Sequence, residues 1–130
     1  MASRKPIELQ NRPALLTQGI EWGRKPAVVK YTVDGDTFGA LVDWGGAKYV
    51  FETVRFFEAS APEPHEPGGM EAKHALAWEL PEGTHVLLHM KGYDKNDRIV
   101  CLVTAVGDDG YAYSIVEALI EDGHLRRDPQ

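Results

Sequence analysis

The stretch AVVKYTVDGDTFGALVDWGG, residues 27–46, decides how the chain is read. β-Branched and apolar residues run from Ala27 to Val33 and stop at Asp34-Gly35. A second run, Thr37 to Val42, stops at Asp43-Trp44-Gly45-Gly46. Apolar runs of this length closed by Asp and Gly are strands joined by tight turns. A third strand follows over Ala47 to Phe57, with Tyr49, Phe51 and Thr53 on one parity and Val50, Val54 and Phe56 on the other.

Beyond Phe57 the texture changes. Ala59 to Gly69 carries three prolines and two glycines and reads as a loop. Met70 to Leu80 is helical, because Ala72, Leu76 and Leu80 recur every four residues and Pro81-Glu82-Gly83 ends the run. Thr84 to Lys91 and Arg98 to Val106 are two further strands, separated by a polar turn. Ser114 and Glu117 form a capping box for a second helix, which Gly123 closes. Three strands, a helix, two strands and a helix is the element order of an OB-fold. The expected class is therefore α+β: a five-stranded OB-fold barrel, a helix between strands 3 and 4, and a short helix near the C-terminus. Residues 26–125 form this domain, residues 1–25 a polar arm, and residues 126–130 a tail.

The 130 residues suffice for one domain with its own core. Cys101 is the only cysteine, which excludes an internal disulfide and any cysteine-based metal site; in Ile99-Val100-Cys101-Leu102-Val103 it reads as a buried, inert thiol. No apolar run resembles a signal-peptide core or a membrane span, so the cytoplasm is the expected location and no membrane is a partner. The net charge of −6 is uneven. Residues 1–30 hold six basic and two acidic residues, net +4; the remaining hundred hold eight basic and 18 acidic residues, net −10. A basic arm can touch nucleic acid or a protein partner, or be a solvated leader. The acidic body argues against tight, non-specific duplex binding, which rests on many Lys and Arg contacts to phosphate.

No glycine loop for phosphate and no nucleophilic triad is present. His85 and His89 are four apart on a strand, about 13 Å, too far for one ion. Asp-Gly-Asp by itself is a turn signal. Its company along the chain is more specific. V-D-G-D-T-F (33–38), V-R-F-F (54–57), A-P-E (61–63), G-G-M-E-A-K (68–73), L-P-E-G-T-H-V (80–86), Y-D-K-N-D-R (93–98) and I-V-E-A-L-I-E-D-G (115–123) follow one another in order. Together they resemble the staphylococcal nuclease (thermonuclease) family over about residues 27–125.

That resemblance implies Ca²⁺-dependent hydrolysis of phosphodiester bonds in DNA or RNA. It implies Asp36 as the carboxylate metal ligand, Arg55 and Arg98 as the guanidinium grip on the scissile phosphate, and Glu63 as the residue that orients or deprotonates water. It further implies the Ala61 backbone carbonyl at the metal and Lys95 and Tyr93 at the substrate. Two departures follow from the same resemblance. Ser60 stands where the family has a second aspartate ligand, and loss of that charge weakens cation binding by about 10–100-fold; Glu58 is near enough in sequence to compensate. The family's third helix and its nucleotide-covering tyrosines have no counterpart after Arg127. The expectation is a nuclease with weak Ca²⁺ affinity acting on single-stranded or frayed DNA or RNA. The alternatives are a catalytically impaired OB module that binds single strands or a protein, and a structural protein docked through its basic arm.

Overall fold

Period-two burial begins at Ala27 and builds a barrel wall. The computed structural model of the protein describes residues 23–129, so the expected arm lies almost wholly outside the described residues. β1 (Arg24–Asp34) buries Ala27 and Val29, β2 (Thr37–Asp43) buries Phe38, Ala40 and Val42, and β3 (Tyr49–Phe56) buries Val54 and Phe56. β1 pairs antiparallel with β2 and β2 with β3, the second register running from Thr37↔Arg55 to Asp43↔Tyr49. Register shifts at Val29/Tyr31 and Thr32/Asp34 in β1 add the local twist that wraps the sheet.

After the two-residue strand β4 (Ala59–Ser60) comes helix α1 (Gly69–Glu79). Its Ala75 and Leu76, with Leu80 beyond it, join the barrel core, and the helix lies against β1. β5 (His85–Tyr93) then pairs antiparallel with β1, and β6 (Ile99–Val106) pairs antiparallel with β5. β6 also runs parallel to β3, with Val54↔Ile99, Arg55↔Val100 and Phe56↔Cys101. That pairing closes a five-stranded mixed barrel, the α+β OB-like architecture read from the element order. β7 (Ala112–Ser114) extends β6, and helix α2 (Ile115–Glu121) buries Ile115, Val116, Ala118 and Leu119. No helix among the described residues is long and apolar enough to cross a membrane.

The structure differs from the sequence reading in several places, among them β4 inside the loop expected over Ala59–Gly69 and the unexpected β7. β1 starts at Arg24, inside the expected arm, because Arg24–Pro26 pair with Leu87–His89. β3 starts at Tyr49, since Gly45, Gly46 and Ala47 all have positive φ and belong to the turn. The expected tail contains β8 (Arg126–Arg127), antiparallel to β4, so it is clipped to the domain. The capping box is half made: the Ser114 hydroxyl accepts from the Glu117 amide at 3.2 Å, while the Glu117 carboxylate pairs with Arg127 instead of returning to the cap.

Candidate functional site

The β1–β2 turn sets the site. Asp34 Oδ1 accepts the Asp36 amide at 3.1 Å, and a Cβ on Gly35 would come within 2.6 Å of the Ala61 and Ala72 methyls. Glycine is needed here for close approach rather than for its backbone freedom. It lets the β4–α1 loop and helix α1 rest directly on the turn. Asp36 is thereby buried, 7% exposed, and each of its oxygens is engaged: Oδ1 accepts the Thr37 hydroxyl at 2.9 Å, and Oδ2 accepts the Ala61 amide at 2.9 Å.

Arg55, paired with Thr37 across β2–β3, brings the cation. Its Nη2 lies 3.5 Å from Asp36 Oδ2 and donates to Ser60 Oγ at 3.0 Å. Its Nη1 donates to the carbonyls of Phe56 (2.9 Å) and Ala59 (2.6 Å). The Ser60 hydroxyl in turn donates to Asp128 Oδ1 at 2.5 Å, and the Asp128 amide donates to the Glu58 carbonyl at 2.9 Å. Asp36, Arg55, Ser60 and Ala61 are therefore one contiguous group. An open cleft of about 370 Å³ runs beside it, between the Ser60–Pro62 loop and the Gly123–Arg126 segment.

The other expected residues stand apart from this group. Glu63 is exposed two residues past Ala61; its amide donates to Glu66 Oε1 at 2.8 Å. Its carbonyl is so close to Gly69 that a Cβ there would overlap it. Arg98 is held in the β5–β6 turn, where Nε donates to Asp94 Oδ2 at 2.7 Å and the backbone amide to Oδ1 at 3.0 Å. Asp94 stays below the ordinary carboxylate value: desolvation pushes it up, and hydrogen bonds from the Arg98 and Asn96 amides and the Arg98 guanidinium outweigh that. Arg55 and Arg98 alternate with buried Val54, Phe56 and Ile99, so both side chains leave the barrel on its outer side along the β3–β6 seam. Tyr93, 57% exposed, and exposed Lys95 border the same turn. Among the described residues no hydrogen bond or ion pair joins Glu63 or Arg98 to the Asp36 group.

Two acids at the site were not foreseen. Asp34 has its pKa raised to about 6, first by burial and then by its contact with the Asp36 carboxyl. Asp128 reaches Ser60 from 68 positions away, through the β4–β8 pairing. Glu58, the expected compensating acid, is exposed and contributes only its carbonyl. The β8 clip has no sequence signal, because two residues are too few to show a period. Asp34 was visible as half of Asp-Gly-Asp, and its burial was not.

The oxygens shown around position 36 are hard donors of the kind Ca²⁺ takes, the Asp36 carboxylate and the Ser60 hydroxyl, while Ala61 meets Asp36 through its amide. A carboxylate has about four lone-pair sites; Asp36 uses two in hydrogen bonds, and its Oδ2 also faces the Arg55 guanidinium at 3.5 Å. The set fits a weak site completed by water. Among the described residues no group of three or more His, Cys, Asp or Glu side chains is placed to hold a metal. The chain matches no protein-family model and none of the curated proteins.

Proposed function

We propose that the protein is a metal-assisted phosphodiesterase acting on single-stranded or frayed DNA or RNA, with weakly held Ca²⁺. The observation that supports this best is the contiguous group of Asp36, Arg55, Ser60 and Ala61, whose members are spread over 25 positions of the chain yet share one set of hydrogen bonds. In this reading Asp36, the Ser60 hydroxyl and the Ala61 carbonyl hold the cation. Bound Ca²⁺ supplies positive charge beside the phosphate and a coordination place for water.

The protein's own groups do the rest. Arg55 is fixed by the Phe56 and Ala59 carbonyls, so its charge is oriented before a phosphate arrives. Arg98 exchanges Asp94 for a phosphate oxygen. Solvent screens exposed ion pairs of this kind, so the exchange costs little. Exposed Glu63 takes the proton of the attacking water as its oxygen bonds to phosphorus, the P–O bond to the leaving nucleoside breaks and that oxygen is protonated by solvent; Tyr93 and Lys95 border the nucleotide. A nucleic-acid substrate goes with the cytoplasmic placement expected from the sequence. A protein partner for the basic arm falls on residues outside those described.

One observation favours a second reading, an OB module that binds single strands without cutting them. Ser60 brings no charge, and the Arg55 guanidinium is already committed to two carbonyls, a hydroxyl and Asp36. Cleavage of labelled single-stranded DNA and RNA, with Ca²⁺ or with chelator, separates the two. The nuclease reading requires Ca²⁺-dependent cleavage that falls by at least about 100-fold in Arg98→Ala and Glu63→Gln. Oligonucleotide binding with no cleavage under any condition selects the binding module.

A further inference from the structure

β6 is apolar at nearly every position, Ile99-Val100-Cys101-Leu102-Val103-Thr104-Ala105-Val106, whereas a strand with one face in water alternates. Its inward set, Ile99, Cys101, Val103 and Ala105, belongs to the barrel core. Val100 and Leu102 are left on the outer side, Leu102 37% exposed. The neighbouring strands extend this patch. Val86 and Leu88 point inward on β5, so Leu87 points out, between Pro26 of β1 and Thr104 of β6. Val28 continues the patch along β1. The described helices lie elsewhere: Leu76 of α1 and Ile115 and Leu119 of α2 turn into the core. Charge sets the patch apart as well. β5 and β6 contain no acidic residue, although the chain has 20. Arg24, opposite His89, and Lys91, whose Nζ lies 5.5 Å from the Phe57 ring centroid, make its margin cationic.

We propose that residues 7–22 of this same chain lie across the outer side of β1, β5 and β6 and complete the domain. The proposal is independent of the phosphodiester chemistry. Composition argues for this occupant. The segment holds Ile7, Leu9, Leu15, Leu16, Ile20 and Trp22, and its acids, Glu8 and Glu21, outnumber Arg12 by one. It therefore offers apolar side chains to an apolar patch and net negative charge to a cationic margin. The place where the described chain begins argues the same way. The Gly23 carbonyl accepts the Met90 amide at 2.7 Å, so the chain enters β1 beside β5. Gly23 has φ 92°, a left-handed turn at which the ladder with β5 ends. Crossing from β1 to β6 takes about 10 Å, two strand spacings, while sixteen residues reach about 50 Å when extended. Length is no obstacle. The tether also gives the segment a millimolar effective concentration, with which a free partner has to compete.

Hydrogen exchange of the full chain, read by mass spectrometry, tests this. Wild-type peptides covering residues 14–22 should exchange at least about tenfold more slowly than those of Leu16→Asp/Ile20→Asp. That double variant removes apolar contacts from the segment and changes no residue of the barrel. Leu102→Lys, made on the sheet, should release the same peptides while the amides of β1, β5 and β6 stay slow. Both variants should bind an apolar dye severalfold more strongly, because the patch is then uncovered. Equal exchange of residues 14–22 in the wild type and the double variant overturns the proposal and leaves the patch to another protein. Protection that disappears on dilution, together with a dimer that dissociates in sedimentation, also overturns it and assigns the patch to a second copy. Protection that persists in a folded Leu102→Lys overturns it by placing the segment on a different surface. Should Leu102→Lys fail to fold, the double variant decides alone.

Discussion

Asp36 accepts one hydrogen bond on each carboxylate oxygen, and Arg55 is its cationic neighbour at 3.5 Å. Ser60 is the residue where this arrangement can be pushed. Its hydroxyl donates to Asp128, so Ser60→Asp replaces a donor with a carboxylate facing another carboxylate. Like charges at that distance disfavour the ionised pair, and the calcium-free variant should melt below the wild type. Millimolar Ca²⁺ should raise the variant's melting temperature more than the wild type's, through preferential binding to the folded state. Calorimetry showing Ca²⁺ binding no tighter in the variant would remove position 60 from the metal site. Asp34 offers a pH test. Its pKa is about 6 when folded against 3.8 ordinarily, so the folded state holds this proton more tightly than the unfolded chain does. The resulting stabilisation is complete below about pH 4 and is lost as pH rises through about 6. Urea midpoints should reflect that loss, and Asp34→Asn should flatten the profile between these limits.

Helix α1 and strand β8 are the two elements that hold the site together. α1 rests on the turn through Ala72, and the β4–α1 loop does so through Ala61. Gly35→Ala forces both away, with overlaps at 2.6 Å and a backbone carbon of Ala72 at 3.2 Å. Overpacking of this kind costs about 1–3 kcal/mol. Equilibrium unfolding of Gly35→Ala should show that loss, and a loss near zero would mean that turn, loop and helix are not tightly seated. β8 is smaller but reaches further. Truncation after Leu125 removes the β4–β8 pairing, the Asp128–Ser60 hydrogen bond and the Arg127–Glu117 pair, while the buried Leu125 is kept. At about 0.5–1.5 kcal/mol net per hydrogen bond, the truncation should cost about 1–3 kcal/mol and leave the far-UV spectrum unchanged. The same truncation frees Ser60, so altered Ca²⁺ binding in it would place Asp128 in the site's electrostatics.

For the whole molecule, closure through the parallel β3–β6 pairing turns a sheet into a barrel with one core. Cys101 lies on that seam, opposite Phe56, and is 0% exposed. Burial, then the negative charge of Glu52, pushes its thiol up to about 12. Alkylation in native buffer near pH 8 should therefore be slow and should require the barrel to open, so its rate should rise with added urea in step with the global unfolding constant. Rapid native labelling would show a local opening at β6. The short strands β4, β7 and β8 could not be read from the chain, whereas the five barrel strands, α1, α2, the Ser114 cap and the burial of Cys101 could. Each depends on periodicity, turn residues or composition within about ten neighbours, where local sterics and solvent exclusion act. The basic arm and the partner expected for it fall outside the described residues. What only the tertiary structure decided is how distant residues meet: Asp128 on Ser60, the Ala61 amide on Asp36, and Tyr31 stacked on Phe51 over Gly39. These contacts join residues whose separations carry no repeat, so local pattern contains no trace of them. They exist because barrel closure, register and two bulges bring the side chains into reach. Their partners were fixed by the path of the backbone through space.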